Sequence, residues 1–367
     1  MNRTKVSKIA KFFTFFTIAA LVVLLIDHFM FFNLGPSTTS YGTFYQERKD
    51  SLDLVRVGSS TVRDGFIPRE AYKEYGITSH SIDSSPTHLE VIEIAIDEIA
   101  RTQKPKVVYI DLNGLNNQTK DNAQTFVKDY FSSRPDDKET EKVKEKLCEK
   151  FPYLKKEKEW EPFSGHNSFR QQIYWESFVY NKQFYTKGYY PQTGVKKVEV
   201  CEVDPEKTLP LSSDGELYLD EILCICKKYP EIRFLFGQRP RYLSDKIVSF
   251  DPYQKHSPLD AFYMVRSAKK KVEENGYTFL DYSSPEFLKD TLCLDPDKDQ
   301  YDAEHLNHRG AKKFTKYFSQ YLIDTFFKER PTHSKEVEKG FDEVYEGYEK
   351  IAKKAEKKLK RNKKDKR

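Results

Sequence analysis

Short apolar runs rich in β-branched residues recur along this chain, and most are followed by a stretch with helical spacing. That alternation restricts the fold more than any other feature. Runs at 52–57 (LDLVRV), 79–83 (SHSID), 107–112 (VVYIDL), 232–237 (IRFLFG) and 277–281 (YTFLD) read as strands. Between them, 86–103, 214–228, 259–274 and 310–327 read as helices. In the first, Leu89, Ile92, Ile96 and Ile99 share one face, with Ser85 and Pro86 in N-cap and first-turn positions. Strands joined through helices by short connections predict a parallel sheet covered on both faces, a flavodoxin-like three-layer α/β/α domain of about five strands over 50–330.

The alternation lapses over about 114–213, which is expected to be a mainly helical insertion. It holds a charged run at 136–158 and an aromatic stretch at 174–190. Insertions of this length often wall a substrate site. Trp160, Trp175, Tyr189 and Tyr190 are candidates to stack on sugar rings, with a small core of their own as the competing reading.

Two segments lie outside the domain. Residues 12–32 are a 21-residue apolar stretch with Asp27 near its far end, preceded by Arg3, Lys5, Lys8 and Lys11. That length suits a membrane-crossing helix, and the flanking charge keeps residues 1–11 cytoplasmic and the domain outside. A cleaved signal peptide is the rival, but the run is long for one and no small-x-small site follows. Residues 33–49 form a polar connector. At the other end, 331–367 is a basic tail, helical or disordered. From 353 to 367, ten basic residues face two acidic ones, a local excess of eight against the chain's net charge of +5, so the rest of the chain is close to neutral or slightly acidic. Val337, Phe341, Val344, Tyr345, Tyr348, Ile351, Ala355 and Leu359 recur there at helical spacing. The expectation is a solvated tail or a face for anionic lipid or teichoic acid, with no specific nucleic acid as partner.

Cys148, Cys201, Cys224, Cys226 and Cys293 are odd in number and lack paired C-x-x-C units, so no zinc site is expected; one or two bridges, or free thiols, all remain open. The chain also lacks G-x-G-x-x-G, a Walker loop and H-E-x-x-H, so no cofactor or metal is expected.

The chemistry concentrates at two places. In DLVRVGSSTVRDGFIP (53–68) an apolar strand runs into Gly58-Ser59-Ser60. At the carboxyl edge of a parallel sheet that places a serine where open α/β folds carry their sites; a turn and helix cap is the plainer reading. Far away, QYDAEHLNHRGAKKF (300–314) sets Asp302 three residues before His305, ahead of the last helix, with Asn307 placed to cap it. A carboxylate on one imidazole nitrogen leaves the other free to take a serine proton, which a serine hydroxyl needs to become a nucleophile.

Together these blocks resemble the SGNH, or GDSL-like, hydrolase superfamily. The resemblance covers about 50–113 and 230–328, and carries Ser59 where the older pattern has Asp. It implies Ser60 as nucleophile, His305 as base and Asp302 as its orienting acid. The family's oxyanion donors fall on the Ser60 and Ser84 backbones and on Asn113. The glycine that the family has after the second strand and its G-x-N-D motif are both absent here. Arg63 is a candidate substrate contact, or half of a charge pair with Asp64. With the anchor, the layout is similar to the branch that includes the D-alanyl transfer protein of teichoic acid synthesis and polysaccharide O-acetylation partners. That implies an extracytoplasmic serine esterase or O-acyltransferase acting on acyl, chiefly acetyl, esters of a cell-surface glycan or teichoic-acid-like polymer. A multi-spanning membrane-bound O-acyltransferase is the implied partner. The alternative is a catalytically degenerate SGNH domain that binds glycan or scaffolds such an assembly.

Overall fold

A computed structural model describes residues 11–23, 40, 42–83, 89–117, 138–150, 152, 186–197, 200–246 and 256–364. Five strands form one sheet in the order β2-β1-β3-β4-β5: β1 (Leu54–Gly58), β2 (Ser79–Asp83), β3 (Val107–Asp111), β4 (Arg233–Gln238) and β5 (Thr278–Asp281). Every neighbouring pair is parallel, with Val57 opposite Ile82 on one side and Ile110 on the other. The chain leaves β1 to build β2 on one side and then returns to build β3 on the other. The carboxyl ends of β1 and β3 therefore flank a topological switch point, where open parallel sheets form a crevice.

Each strand alternates its side chains between two buried faces. On one face Val55, Val57, Ile82, Val108, Ile110, Phe234 and Phe236 pack under α3 (Leu89–Thr102), α5 (Ser213–Cys226) and α6 (Pro258–Glu274). On the other, Leu54, Val107, Tyr109 and Leu235 pack under α1 (Ser60–Gly65), α2 (Pro68–Tyr75) and α7 (His308–Leu322). The three-layer arrangement follows from strands that are apolar on both sides. Caps set the helix starts. Ser212 and Ser257 each accept the backbone N–H of the third residue on, and Asn307 accepts from Arg309 and Gly310. The last body helix therefore starts at His308 and its α-helical span ends at Leu322, short of the expected 327, where the chain widens into a π-turn.

The expected insertion is described only in part: α4 (Lys138–Lys150), and a strap over 186–197 that runs along the edge of the site. Ser84, Ser85, Trp160 and Trp175 lie outside the described residues. Residues 11–23 are helical with exposed Phe12, Phe13, Phe15 and Phe16, while 24–32 of the expected span lie outside the described residues. Among the described residues no helix is long and apolar enough to cross a membrane. All five cysteines are free; Cys224 is exposed and Cys226 buried, as opposite faces of α5 require.

The tail departs from expectation. Lys335–Lys364 is one helix, α8, and its apolar stripe lies against the protein body. Phe341 packs on the Tyr72 ring, the Arg69 guanidinium donates to the Phe341 carbonyl and lies over its ring, and the Tyr348 hydroxyl donates to Glu70. Phe341, Val344, Tyr348, Ala355 and Leu359 are all buried. The stripe is thus used inside the molecule rather than offered to lipid, and the lysines face outward. Burial of each large apolar side chain is worth about 1.5–3 kcal/mol, enough to order a tail that composition alone leaves solvated.

Candidate functional site

Gly58 ends β1 because nothing larger fits. A Cβ there would stand 2.5 Å from Val62 Cγ2 and 2.7 Å from Asp111 Cβ, inside van der Waals contact with both neighbours. The close approach lets the chain turn at once into α1, and Ser60 becomes its first residue, half-buried at the β1 rim. Ser59 turns inward instead, sharing a hydrogen bond with the Thr61 hydroxyl at 2.9 Å.

His305, 245 residues along the chain from Ser60, reaches the same rim together with Asp302. Their turn is closed by the Tyr301 N–H donating to the His305 carbonyl and by an isolated bridge between Gln300 and Leu306. His305 Nε2 lies 2.7 Å from Ser60 Oγ. His305 Nδ1 lies 2.9 Å and 3.0 Å from the two oxygens of Asp302. Asp302 Oδ1 also accepts the backbone N–H groups of Glu304 and His305. Burial raises the Asp302 pKa, but the hydrogen bond from His305, its charge and the two backbone donors outweigh burial and hold it at about 2. A carboxylate only accepts, so Nδ1 carries a proton; in the neutral ring Nε2 is then the acceptor and the Ser60 hydroxyl donates to it.

A second polar layer lies behind this relay. Arg241 donates to Glu304 Oε1 at 2.9 Å, to Asn113 Oδ1 at 3.2 Å and to the Pro258 carbonyl at 3.3 Å. Arg239 stands 3.3 Å from the same Glu304 oxygen. Burial pulls the Arg241 pKa down to about 10, against the pull of Glu304 and Asp111. Burial raises Glu304, but the two guanidiniums win and hold it below the usual carboxylate range. Asn113 is the second residue of a short 3₁₀ turn after β3, Leu112–Asn117, its N–H donating to Asp111 Oδ1 at 2.8 Å.

Arg63 is buried. Its guanidinium donates to Asp64 at 2.7 Å and to Asp83 at 3.2 Å, with the Tyr190 ring 5.6 Å away. Burial lowers its pKa, yet the two carboxylates raise it overall. This is the geometry of an internal charge pair that ties α1 to the end of β2, rather than of a side chain open to a substrate. Tyr189 is fully buried with its hydroxyl 2.8 Å from His308 Nδ1, so it belongs to the core. Tyr190 is half-buried beside Arg63. The strap holds to the site edge by main-chain bonds from the Tyr190 N–H to the Arg63 carbonyl and from the His308 N–H to the Gln192 carbonyl, and by the Asn307 side-chain amide donating to the Gly194 carbonyl.

The structure therefore brings Ser60, His305 and Asp302 together and places Asn113 at the neighbouring strand end, joined to their turn through Arg241 and Glu304. No metal-binding cluster occurs among the described residues. Arg239, Arg241 and Glu304 escape sequence reasoning. The signal was present in Q-R-P-R, two cations directly after a buried strand, and in the acid between Asp302 and His305.

No family model and no curated protein matches this chain. A solved structure described as a gut microbial diltiazem-metabolizing enzyme aligns with 75 % of this chain and 48 % of its own, at TM-score 0.37 and 10 % identity. The chain spans about half the length of that structure, and the likeness is too distant to bear on chemistry.

Proposed function

We propose that the chain is an SGNH-type serine esterase or O-acyltransferase. It would be anchored by its N-terminal segment outside the cytoplasm, acting on acyl, chiefly acetyl, esters of a cell-envelope glycan. The 2.7 Å contact between Ser60 Oγ and His305 Nε2, with Asp302 behind the ring, is the observation that carries this reading. It supplies what a serine needs to attack an ester carbonyl: an imidazole nitrogen facing the hydroxyl, in a ring oriented by a carboxylate that stays ionised at neutral pH.

In the proposed reaction Ser60 Oγ attacks the carbonyl carbon as His305 Nε2 takes its proton. The oxyanion is held by the Ser60 N–H and the Asn113 side-chain amide, each such donor being worth about 3 kcal/mol in the transition state. His305 then returns the proton to the leaving alcohol. Water or a sugar hydroxyl attacks the acyl-serine, activated by the same imidazole; the first gives hydrolysis and the second transfer. Transfer calls for a multi-spanning partner that delivers the acyl donor.

The test uses the full chain in detergent, because removing α8 would bare the Arg69–Phe341 contact. With p-nitrophenyl acetate and an acetylated glycan, wild type should turn over, and Ser60→Ala should lose at least about 10⁴-fold in kcat. A fluorophosphonate probe should label wild type at Ser60 and nothing in the variant. Absence of both turnover and labelling sinks the catalytic reading and leaves the degenerate, glycan-binding scaffold.

A further inference from the structure

Three side chains behind the relay form a continuous bridge: Asn113 at the end of β3, Arg241 after β4, and Glu304 one residue before His305. We infer that Arg241 is a positioning residue that aims the Asn113 amide into the crevice and locks it to the turn carrying His305. The inference rests on the serine acyl-transfer reading above.

The orientation follows from donor and acceptor chemistry. A guanidinium carries five donors and no acceptor, so the amide edge facing Arg241 Nη2 at 3.2 Å must be the oxygen. The Asn113 amide nitrogen, with both its protons, is thereby turned away from Arg241. Asn113 is half-exposed beside the switch point between β1 and β3, so that nitrogen can serve a charge developing next to Ser60. Without Arg241 the amide would be free to flip, since its two ends have nearly the same shape, and half of its orientations would present an oxygen to an oxyanion.

Arg241 is itself held on three sides. It is 1 % exposed, and Glu304, Asn113 and the Pro258 carbonyl take its donors. Glu304 follows Asp302 by two residues, and its own N–H donates to Asp302 Oδ1 at 2.7 Å. The Asn113 backbone is fixed separately, by its N–H on Asp111, whose other oxygen takes the Thr61 hydroxyl at 3.4 Å. The oxyanion amide, the nucleophile helix α1 and the histidine turn are therefore cross-braced by two polar links. A single guanidinium spans two of the three.

The experiment is a double-mutant cycle on p-nitrophenyl acetate. Arg241→Met and Asn113→Ala should each lower kcat by about 10²-fold, with KM within about threefold, because the amide acts on the transition state. The double variant should be no more than about threefold worse than either single one, since Arg241 works through Asn113. Losses that multiply to about 10⁴-fold, or an Arg241→Met enzyme with wild-type kcat, overturn the inference. Should Arg241→Met fail to fold, Arg241→Lys takes its place. It keeps a charge against Glu304 but lacks the planar fork, and should lose at least about tenfold in kcat; wild-type kcat there overturns the inference. If wild type shows no Ser60-dependent turnover, the functional reading fails by itself. The Arg241–Asn113 link is then read from a crystal structure of the Arg241 variant: a flipped or mobile Asn113 amide upholds it, and an unmoved one overturns it.

Discussion

The two faces of the sheet are built from different chemistry. Under α3, α5 and α6 the central strands present hydrocarbon through Val55, Val57, Val108, Ile110, Phe234 and Phe236, and the buried polar side chains His80 and Gln238 sit at the margins of that face, on the edge strand β2 and at the last position of β4. Under α1, α2 and α7 the same strands present Arg56 and Tyr109 among their apolar neighbours. Arg56 is 2 % exposed in the middle of β1, with Phe66 and Tyr109 rings at 4.8 Å and 5.5 Å and one hydrogen bond, to the Val62 carbonyl. Burial lowers its pKa to about 10. A buried charge costs several kcal/mol of desolvation and rarely adds stability over a hydrocarbon of similar size. The face that accepts this cost is the one beneath Ser60 and the His305 turn. One face stabilises the fold; the other gives up stability to hold polar groups in fixed directions.

Variants on the two faces should therefore fail differently. The largest effect belongs to the polar rim. Asp302→Asn should cut kcat by about 10⁴-fold while the protein stays folded, because the amide no longer fixes the His305 tautomer. The same variant sharpens an acid limb. The folded Asp302 pKa is about 2, below its ordinary value of 3.8, so the group contributes stability above pH 3.8 that is lost as pH falls toward 2. Acid titration of unfolding should show that limb in wild type and a flatter one in Asp302→Asn. Next comes the hydrocarbon face. Ile110 is fully buried, and Ile110→Ala should cost about 2–5 kcal/mol in denaturant unfolding, with kcat per folded molecule retained. Smaller again is Arg56→Met. Losing the Val62 bond and losing the desolvation cost nearly cancel, so the change should stay within about 1 kcal/mol. A loss as large as that of Ile110→Ala would erase the distinction between the faces.

The same contrast explains what could be read from sequence. The strands were legible because parallel strands buried on both sides leave apolar runs, as at 107–112 and 232–237. SHSID was the faintest of the five strands because its propensity is weak, and the short helices α1 and α2 before it went unread. The meeting of Ser60 with His305 and Asp302 was legible because each motif is local and the sheet topology supplies the rest. Arg239, Arg241 and Glu304 were not, because a charge run does not say which charges converge after folding. Nor was the seat of α8, since an apolar stripe states that it will be covered without naming by what. Asn307 shows the opposite case: an asparagine before a helix is a local cap, and it fixed the start of α7 at His308.

The smallest effect concerns that seat. His333 joins α7 to α8, and its Nε2 lies 2.9 Å from the Gly76 carbonyl and 3.2 Å from Asp53 Oδ2 at the foot of β1. The bond to Asp53 raises its pKa above 6.5, burial opposing. A raised folded pKa means stability that is full below the unfolded value and is lost as pH climbs through the folded one. Amide exchange along α8 should therefore quicken, beyond the intrinsic rise with pH, from below pH 6 to pH 9. The body strands should show no matching change. His333→Gln, which keeps a donor for the Gly76 carbonyl but cannot be charged, should remove the pH dependence and leave exchange in β1 and β3 unaltered. If α8 in that variant still loosens with pH, some group other than His333 holds the helix down and this account of its seat fails.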